Sequence, residues 1–248
     1  MCNGHTFNLI STPWLSVIRA SGQRDRIRPA DLTDGIDSDP ILDVDFPRAD
    51  FRGAALEFLI GLLTVAAIKL FTPPKRLIAV AKHPTQRDLA RKLGADQVIT
   101  PSEVFQRIRF ATGARRLDGM NRSLLLGGAD ITFECVGRAD SLNDAVRFTR
   151  EGGTVVVVGM PGEEKVDWAP IWQRELTVMG AYAYGAEPKK KGKRTFQLAI
   201  EAAPELHLET LTGPLFGLGE YKDAIAYAMS AGKLGAVKVA FDLRGLKI

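Results

Sequence analysis

Cysteine and histidine are scarce in this chain, at two and three among 248 residues. Cys2 and Cys135 alone cannot build a disulfide framework, and such sparse use of cysteine fits a reducing compartment, so a cytoplasmic setting is expected. Long apolar runs are lacking too. The most hydrophobic stretch, Phe58 to Ile68, is bracketed by Glu57 and Lys69. As a helix it would rise roughly 16 Å, about half of a bilayer's hydrocarbon thickness, which suits a buried helix of an α/β domain and gives no membrane partner. The opening Met-Cys-Asn-Gly-His has no basic segment followed by an apolar core, so no secretory signal is expected. Charge of one sign is only mildly in excess, at +4. Much of that excess lies in Lys189-Lys-Lys-Gly-Lys-Arg194, which reads either as a solvated loop or as a nucleic-acid patch. No aromatic residues interleave with these charges, so the solvated loop is preferred and no nucleic-acid partner is expected.

The balance of 46% hydrophobic and 25% charged residues is that of a globular protein, and the length allows a full core. Strand-like blocks Arg76-Leu-Ile-Ala-Val-Ala81, Ile131-Thr-Phe-Glu-Cys135 and Thr154-Val-Val-Val-Val-Gly159 alternate with helical stretches, the pattern of a parallel sheet covered by helices. Helices are predicted over Leu56–Phe71, from Pro84 to Gly94, from a Ser102 cap to Ala111, from an Asp140 or Ser141 cap to Arg150, over Thr195–Ala203, and from Glu220 to Ala231 with Gly232 closing it. Further strands are predicted at Gln97–Ile99, Leu176–Gly180 and Val237–Phe241, with a loop from about Ala111 to Gly128. The chain splits near Phe51. Residues 1–50 hold only short apolar fragments, Phe7-Asn-Leu-Ile10 and Trp14-Leu-Ser-Val-Ile18 among them, and a turn-rich acidic stretch from Asp31 to Asp45. They are expected to be an irregular or weakly ordered extension ahead of a domain over residues 51–248.

Several pieces taken in order carry a resemblance. They are Ile60-Gly-Leu-Leu-Thr-Val-Ala-Ala67, Leu93-Gly-Ala-Asp96, Gly128-Ala-Asp-Ile-Thr-Phe-Glu-Cys-Val-Gly137, Glu151-Gly-Gly-Thr-Val-Val-Val-Val-Gly159, Arg174-Glu-Leu-Thr-Val-Met-Gly180 and Lys238-Val-Ala-Phe241. Over roughly three quarters of the chain this resembles the cofactor half of the medium-chain, zinc-type alcohol dehydrogenase family, near its threonine and polyol dehydrogenase members. The resemblance implies a doubly wound, Rossmann-like α/β sheet and a nicotinamide dinucleotide, NAD or NADP, as cofactor and partner. It also implies pairing of subunits through a sheet edge near Leu176–Tyr184, and a segment over Leu211–Ile248 that returns toward a catalytic domain.

Carried over by position, the cofactor would be met by Gly61 and Leu62, by Ala81 and Lys82, and by Val136, Gly137, Val158 and Gly159 facing the ribose and nicotinamide. Gly61 stands for the third glycine of the dinucleotide fingerprint, the one that lets helix pack on strand. The first two glycine positions fall on Leu56 and Phe58, with Phe58 where the diphosphate should lie. The apolar first strand is degenerate, since Asp45-Phe-Pro-Arg-Ala-Asp-Phe-Arg52 is charged and broken by proline; Ile41-Leu-Asp-Val44 is one substitute. Where the family places an acid for the adenosine ribose this chain has Ala81, followed by Lys82 and His83. That leans toward NADP, the alternative being a Lys82 that merely faces solvent.

The family's N-terminal domain holds a catalytic zinc through Cys, His and an acidic or Cys ligand. Here Cys2, Cys135, His5, His83 and His207 are widely scattered in sequence, so ligands for zinc are not expected in this chain and no catalytic residue is assigned. Ser141 and Ser230 lack the spaced His and Asp of a nucleophile triad, and Asp140 with Asp144 suits a helix cap better than an acid–base pair. Tyr182 and Tyr184 do not form a Tyr-x-x-x-Lys pair. Two readings stand: an NAD(P)-dependent alcohol, polyol or amino-alcohol dehydrogenase represented by its cofactor-binding half, or a non-catalytic remnant that binds nucleotide weakly or serves subunit contact.

Overall fold

The computed structural model describes residues 8–10, 13–16, 54–118, 123–182, 185–187, 192–206 and 208–243. Two short strands, β1 (Asn8–Ile10) and β2 (Pro13–Ser16), precede helix α1 (Ala54–Phe71) and strand β3 (Leu77–Ala81). β3 is buried at every position. Side chains alternate across a strand, so a strand covered on both faces must be apolar throughout. Leu77 and Ala79 accordingly join Leu62, Val65 and Ile68 of α1 in one core. Ile78 and Val80 join Ile108, Val146 and Phe148 in a second core on the opposite face.

From β3 the chain passes through α2 (Pro84–Lys92) to the parallel strand β4 (Gln97–Ile99), then α3 (Val104–Thr112). A hairpin follows, β5 (Arg115–Asp118) against β6 (Ser123–Leu126). Then come β7 (Ala129–Glu134), α4 (Ala139–Phe148), β8 (Thr149–Val157), the short α5 (Ala169–Gln173) and β9 (Thr177–Gly180). β7, β8 and β9 are parallel neighbours. The seven-stranded sheet has the order β4-β3-β1-β2-β7-β8-β9, which is a doubly wound α/β fold. Beyond it, β10 (Ala186–Glu187) pairs β11 (Lys193–Arg194), α6 (Thr195–Ala202) follows, and β12 (Thr212–Gly217) runs parallel to β13 (Lys238–Asp242) across α7 (Tyr221–Leu234). Leu211 and Val237 of this last segment are buried in the α1 core, whereas Leu215 and Met229 are exposed.

The central gap of the sheet is filled by the apolar fragments near the start of the chain. β1 runs parallel to both β3 and β7, with Leu9 opposite Ile78 and Thr132. β2 runs antiparallel to the same two strands. The substitute considered from the sequence, Ile41–Val44, lies outside the described residues. A gap in the middle of a sheet leaves backbone donors and acceptors on both sides to be paired, and three or four extended residues suffice to begin pairing them.

Element ends differ from the sequence reading in instructive ways. The stretch read as a loop before Gly128 contains the β5–β6 hairpin, in which Asp118 pairs with Ser123. Thr100, not Ser102, starts the turn before α3: Glu103 accepts hydrogen bonds from the Thr100 N–H at 3.2 Å and its hydroxyl at 2.7 Å. The N-cap of α4 is Arg138, and Ser141 reaches back to accept the Arg138 N–H at 3.1 Å. α7 runs through Gly232 to Leu234, with Gly235 in the left-handed region at φ 75°. A glycine inside a helix costs only about 1 kcal/mol, which neighbouring packing outweighs.

Candidate functional site

Ligands of open α/β sheets sit outside the carboxyl ends of the strands, where strand order reverses. Here the order reverses between β3 and β7, so the ends of β3, β7 and β8 frame the candidate site.

The β7 and β8 ends are built from glycine turns in direct contact. Gly137 has φ 75°, a backbone conformation that favours glycine. A Cβ on Gly159 would stand 2.5 Å from the Gly137 nitrogen, and a Cβ on Gly137 would stand 2.6 Å from the Met160 carbonyl carbon. Any side chain at either position would force the two turns apart. Both turns are tied to Glu134, the last residue of β7. Its carboxylate accepts the Val136 N–H at 2.6 Å and the Gly137 N–H at 2.9 Å, and its main-chain carbonyl accepts the Val158 and Gly159 N–H groups at 2.7 and 2.8 Å. Val136, Gly137 and Gly159 are buried and Val158 is half-buried. The four sequence-assigned positions of this region therefore come together in one place.

At the end of β3, Ala81 is fully buried and Lys82 is exposed. The turn beyond is fixed by Gln86, whose side-chain oxygen accepts the Lys82 N–H at 3.1 Å and the His83 N–H at 3.0 Å, and by Arg87, which donates to the Lys82 carbonyl at 2.9 Å. Sequence reading passed over Gln86 and Arg87. The sign was available, since Pro84 at the first helical position with Gln86 two residues later is a capping pattern.

Gly61 and Leu62 lie well inside α1, both buried, with the Leu62 side chain wholly in the core. Leu56 and Phe58, counted as the first two fingerprint positions, fall in the opening turns of the same helix. α1 approaches β7 where the Thr64 hydroxyl lies 4.0 Å from the Cys135 sulfur. Burial, and then the nearby Glu134 charge, push the Cys135 thiol far up, so it remains protonated and acts as a small apolar group.

Among the described residues no three His, Cys, Asp or Glu side chains gather to hold a metal ion. Cys2, His5 and His207 lie outside those residues. The described side chains do not fit zinc, and no chemical step is routed through it. Ser141 is committed to the Arg138 turn. Tyr182 is exposed, and Ser230 lies in α7. Among the described residues no helix is long and apolar enough to cross a membrane. Sequence reading also passed over Arg174, which is buried and donates to the carbonyls of Leu125 at 2.9 Å, Thr149 at 2.6 Å and Val146. It ties together β6, the end of α4 and the start of β8, and its burial pulls its pKa down to about 10.

The family model described as zinc-binding dehydrogenase matches residues 60–202. A model of the CRISPR-associated protein Cse1 matches residues 8–107, less than half of the chain. Sorbitol dehydrogenase of Arabidopsis thaliana is 30% identical over 195 residues, covering 74% of this chain and 47% of the relative. L-idonate 5-dehydrogenase of Vitis vinifera is 28% identical over 190 residues, with the same coverage of 74% and 47%. Among solved structures, 2R,3R-butanediol dehydrogenase from Bacillus subtilis aligns with a TM-score of 0.54 at 24% identity, over 73% of this chain and 47% of that one. A zinc-binding dehydrogenase from Sinorhizobium meliloti 1021 bound to NADP aligns at 0.56 and 24%, over 74% and 50%. At these identities the structural likeness shows the fold. The chain spans about half the length of the curated relatives it matches.

Proposed function

From a chain that belongs to the zinc-binding dehydrogenase family and matches it over the cofactor-binding half, we propose a nicotinamide dinucleotide-binding unit of an alcohol or polyol oxidoreductase. The contact between Gly137 and Gly159 at the adjoining ends of β7 and β8 carries this reading, because it packs two glycine turns together beside the point between β3 and β7 where the strand order reverses. Val136, Gly137, Val158 and Gly159 would face the nicotinamide end. Ala81 and Lys82 would face the adenosine ribose, with Gly61 and Leu62 supporting the helix above. When bound, the dinucleotide supplies the hydride chemistry. Among the described residues no group is assigned to polarise a substrate carbonyl.

NADP is the preferred form. Ala81 places no carboxylate at the ribose, while Lys82, His83 and Arg87 cluster around the turn that Gln86 fixes. Self-association through β9 belongs to the same reading. β9 is an edge of the sheet, and Val178 on it is exposed, as are Trp172 before it and Tyr182 after it. Those exposed aromatics also favour a second reading, a subunit-contact module without catalysis.

A thermal-shift titration of the purified chain with NADH and NADPH tests the proposal. A ligand that binds only the folded state at a hundred times its dissociation constant stabilises by about 2.7 kcal/mol. A saturable rise in Tm, larger for NADPH and reduced in Lys82→Ala, is expected. A cooperative melt unmoved by either cofactor refutes dinucleotide binding and leaves the subunit-contact reading.

A further inference from the structure

We propose that Glu134 is a positioning residue that sets the nicotinamide-side turns without touching the cofactor; the inference rests on the dinucleotide site proposed above. Glu134 is fully buried at the end of a parallel strand. A carboxylate there is costly unless donors surround it. Backbone N–H groups of the Val136–Gly137 turn are among the donors that reach it. Val136 and Gly137 donate to the carboxylate, with Gly137 reaching both oxygens at 2.9 and 3.0 Å. Val158 and Gly159 donate to the main-chain carbonyl of the same residue. One residue thus fixes both turns at the point where Gly159 abuts Gly137.

Two consequences follow. The four N–H groups are turned inward, so a ligand gains from these turns through their placement and not through those donors. The number of acceptor atoms also matters. Glutamine at this position keeps one acceptor oxygen but sets an amide nitrogen, a donor, against a backbone N–H, itself a donor. The turn at Val136–Gly137 should then loosen, while the end of β3, which holds the adenosine side, keeps its own fixings in Gln86 and Arg87.

The test compares wild type, Glu134→Gln and Thr132→Val by calorimetric titration with NADPH and NADH, and with their adenosine-side fragments 2′,5′-ADP and AMP. Thr132→Val, in β7 like Glu134, removes the buried hydroxyl pair with Thr149 of β8, and so controls for destabilisation alone. Glu134→Gln is expected to weaken the dinucleotide at least tenfold and to change the fragment less than twofold. Thr132→Val is expected to leave the ratio of the two affinities unchanged. Equal loss of both ligands in Glu134→Gln, or loss of neither, overturns the positioning role. Binding of neither ligand by wild type overturns instead the site on which it rests. Should Glu134→Gln fail to fold, hydrogen exchange in the ligand-free wild type decides. Amides of Val136, Gly137, Val158 and Gly159 exchanging as slowly as those within β7 support the clamp, and exchange as fast as at exposed Tyr182 overturns it.

Discussion

Replacing Gly159 by alanine probes the contact between the two turns most directly. The added methyl carbon would lie 2.5 Å from the Gly137 nitrogen, 2.6 Å from the Val136 nitrogen and 2.7 Å from the Val136 carbonyl carbon. Those distances are well inside ordinary van der Waals contact, and every neighbour is backbone, so no flexible side chain can swing away. Relief requires the turns to separate, which strains or breaks the hydrogen bonds from Val158 and Gly159 to the Glu134 carbonyl. Overpacking of this kind costs about 1–3 kcal/mol, and each weakened hydrogen bond adds about 0.5–1.5 kcal/mol. A total of roughly 2–6 kcal/mol follows, and in a chain of this size each kcal/mol moves Tm by about 2–4 °C. Gly180→Ala is the control, because nothing lies within 4 Å of its added Cβ. Calorimetric melting should show Gly159→Ala falling by at least about 4 °C while Gly180→Ala stays near wild type. Equal Tm values for the two variants would refute the account of the turns.

Arg174→Met should also destabilise strongly. It removes the donor to the carbonyls of Leu125, Thr149 and Val146 in a buried setting, a loss of roughly 3–5 kcal/mol. Urea unfolding is the assay, and a loss below about 1 kcal/mol would contradict the stapling role. At the start of α3, the Thr100 hydroxyl first, and then Arg107, hold the Glu103 carboxyl down to about 2 from 4.5. Because the folded value is the lower one, this cap stabilises fully above the unfolded value near 4.5 and is lost as pH falls through about 2. Thr100→Val should raise the Glu103 titration midpoint toward 4.5, read by carboxyl NMR; an unmoved midpoint would show that the hydroxyl is not the main cause.

How much was legible in the sequence depended on how local each signal is. The strand Leu77–Ala81 announces itself by five apolar residues, and its helix neighbours by Pro84 and Gly94 at their ends. The turn positions Gly137 and Gly159 were legible through the family resemblance, which carries them over by position. The β5–β6 hairpin was not legible because neither Arg115-Arg-Leu-Asp118 nor Ser123-Leu-Leu-Leu126 alternates apolar with polar residues. Glu134 was passed over because a single acidic residue inside an apolar strand looks, in sequence, like an interruption. Its meaning lies in donors supplied by the next turn and by a turn more than twenty residues on.

The sequence by itself determined an α/β chain with a parallel sheet covered by helices, since the periods that bury one or both faces of an element are properties of neighbouring residues. It also placed the glycines at the strand ends. Only the tertiary structure decided what fills the centre of the sheet: Asn8–Ile10 and Pro13–Ser16 lie between β3 and β7, although their short apolar fragments carry no strand signal of their own. It alone revealed that Arg174 serves a carbonyl forty-nine positions away. Backbone groups can be paired by any segment that reaches them, so which segment does so is decided by the folded chain as a whole and not by its local composition.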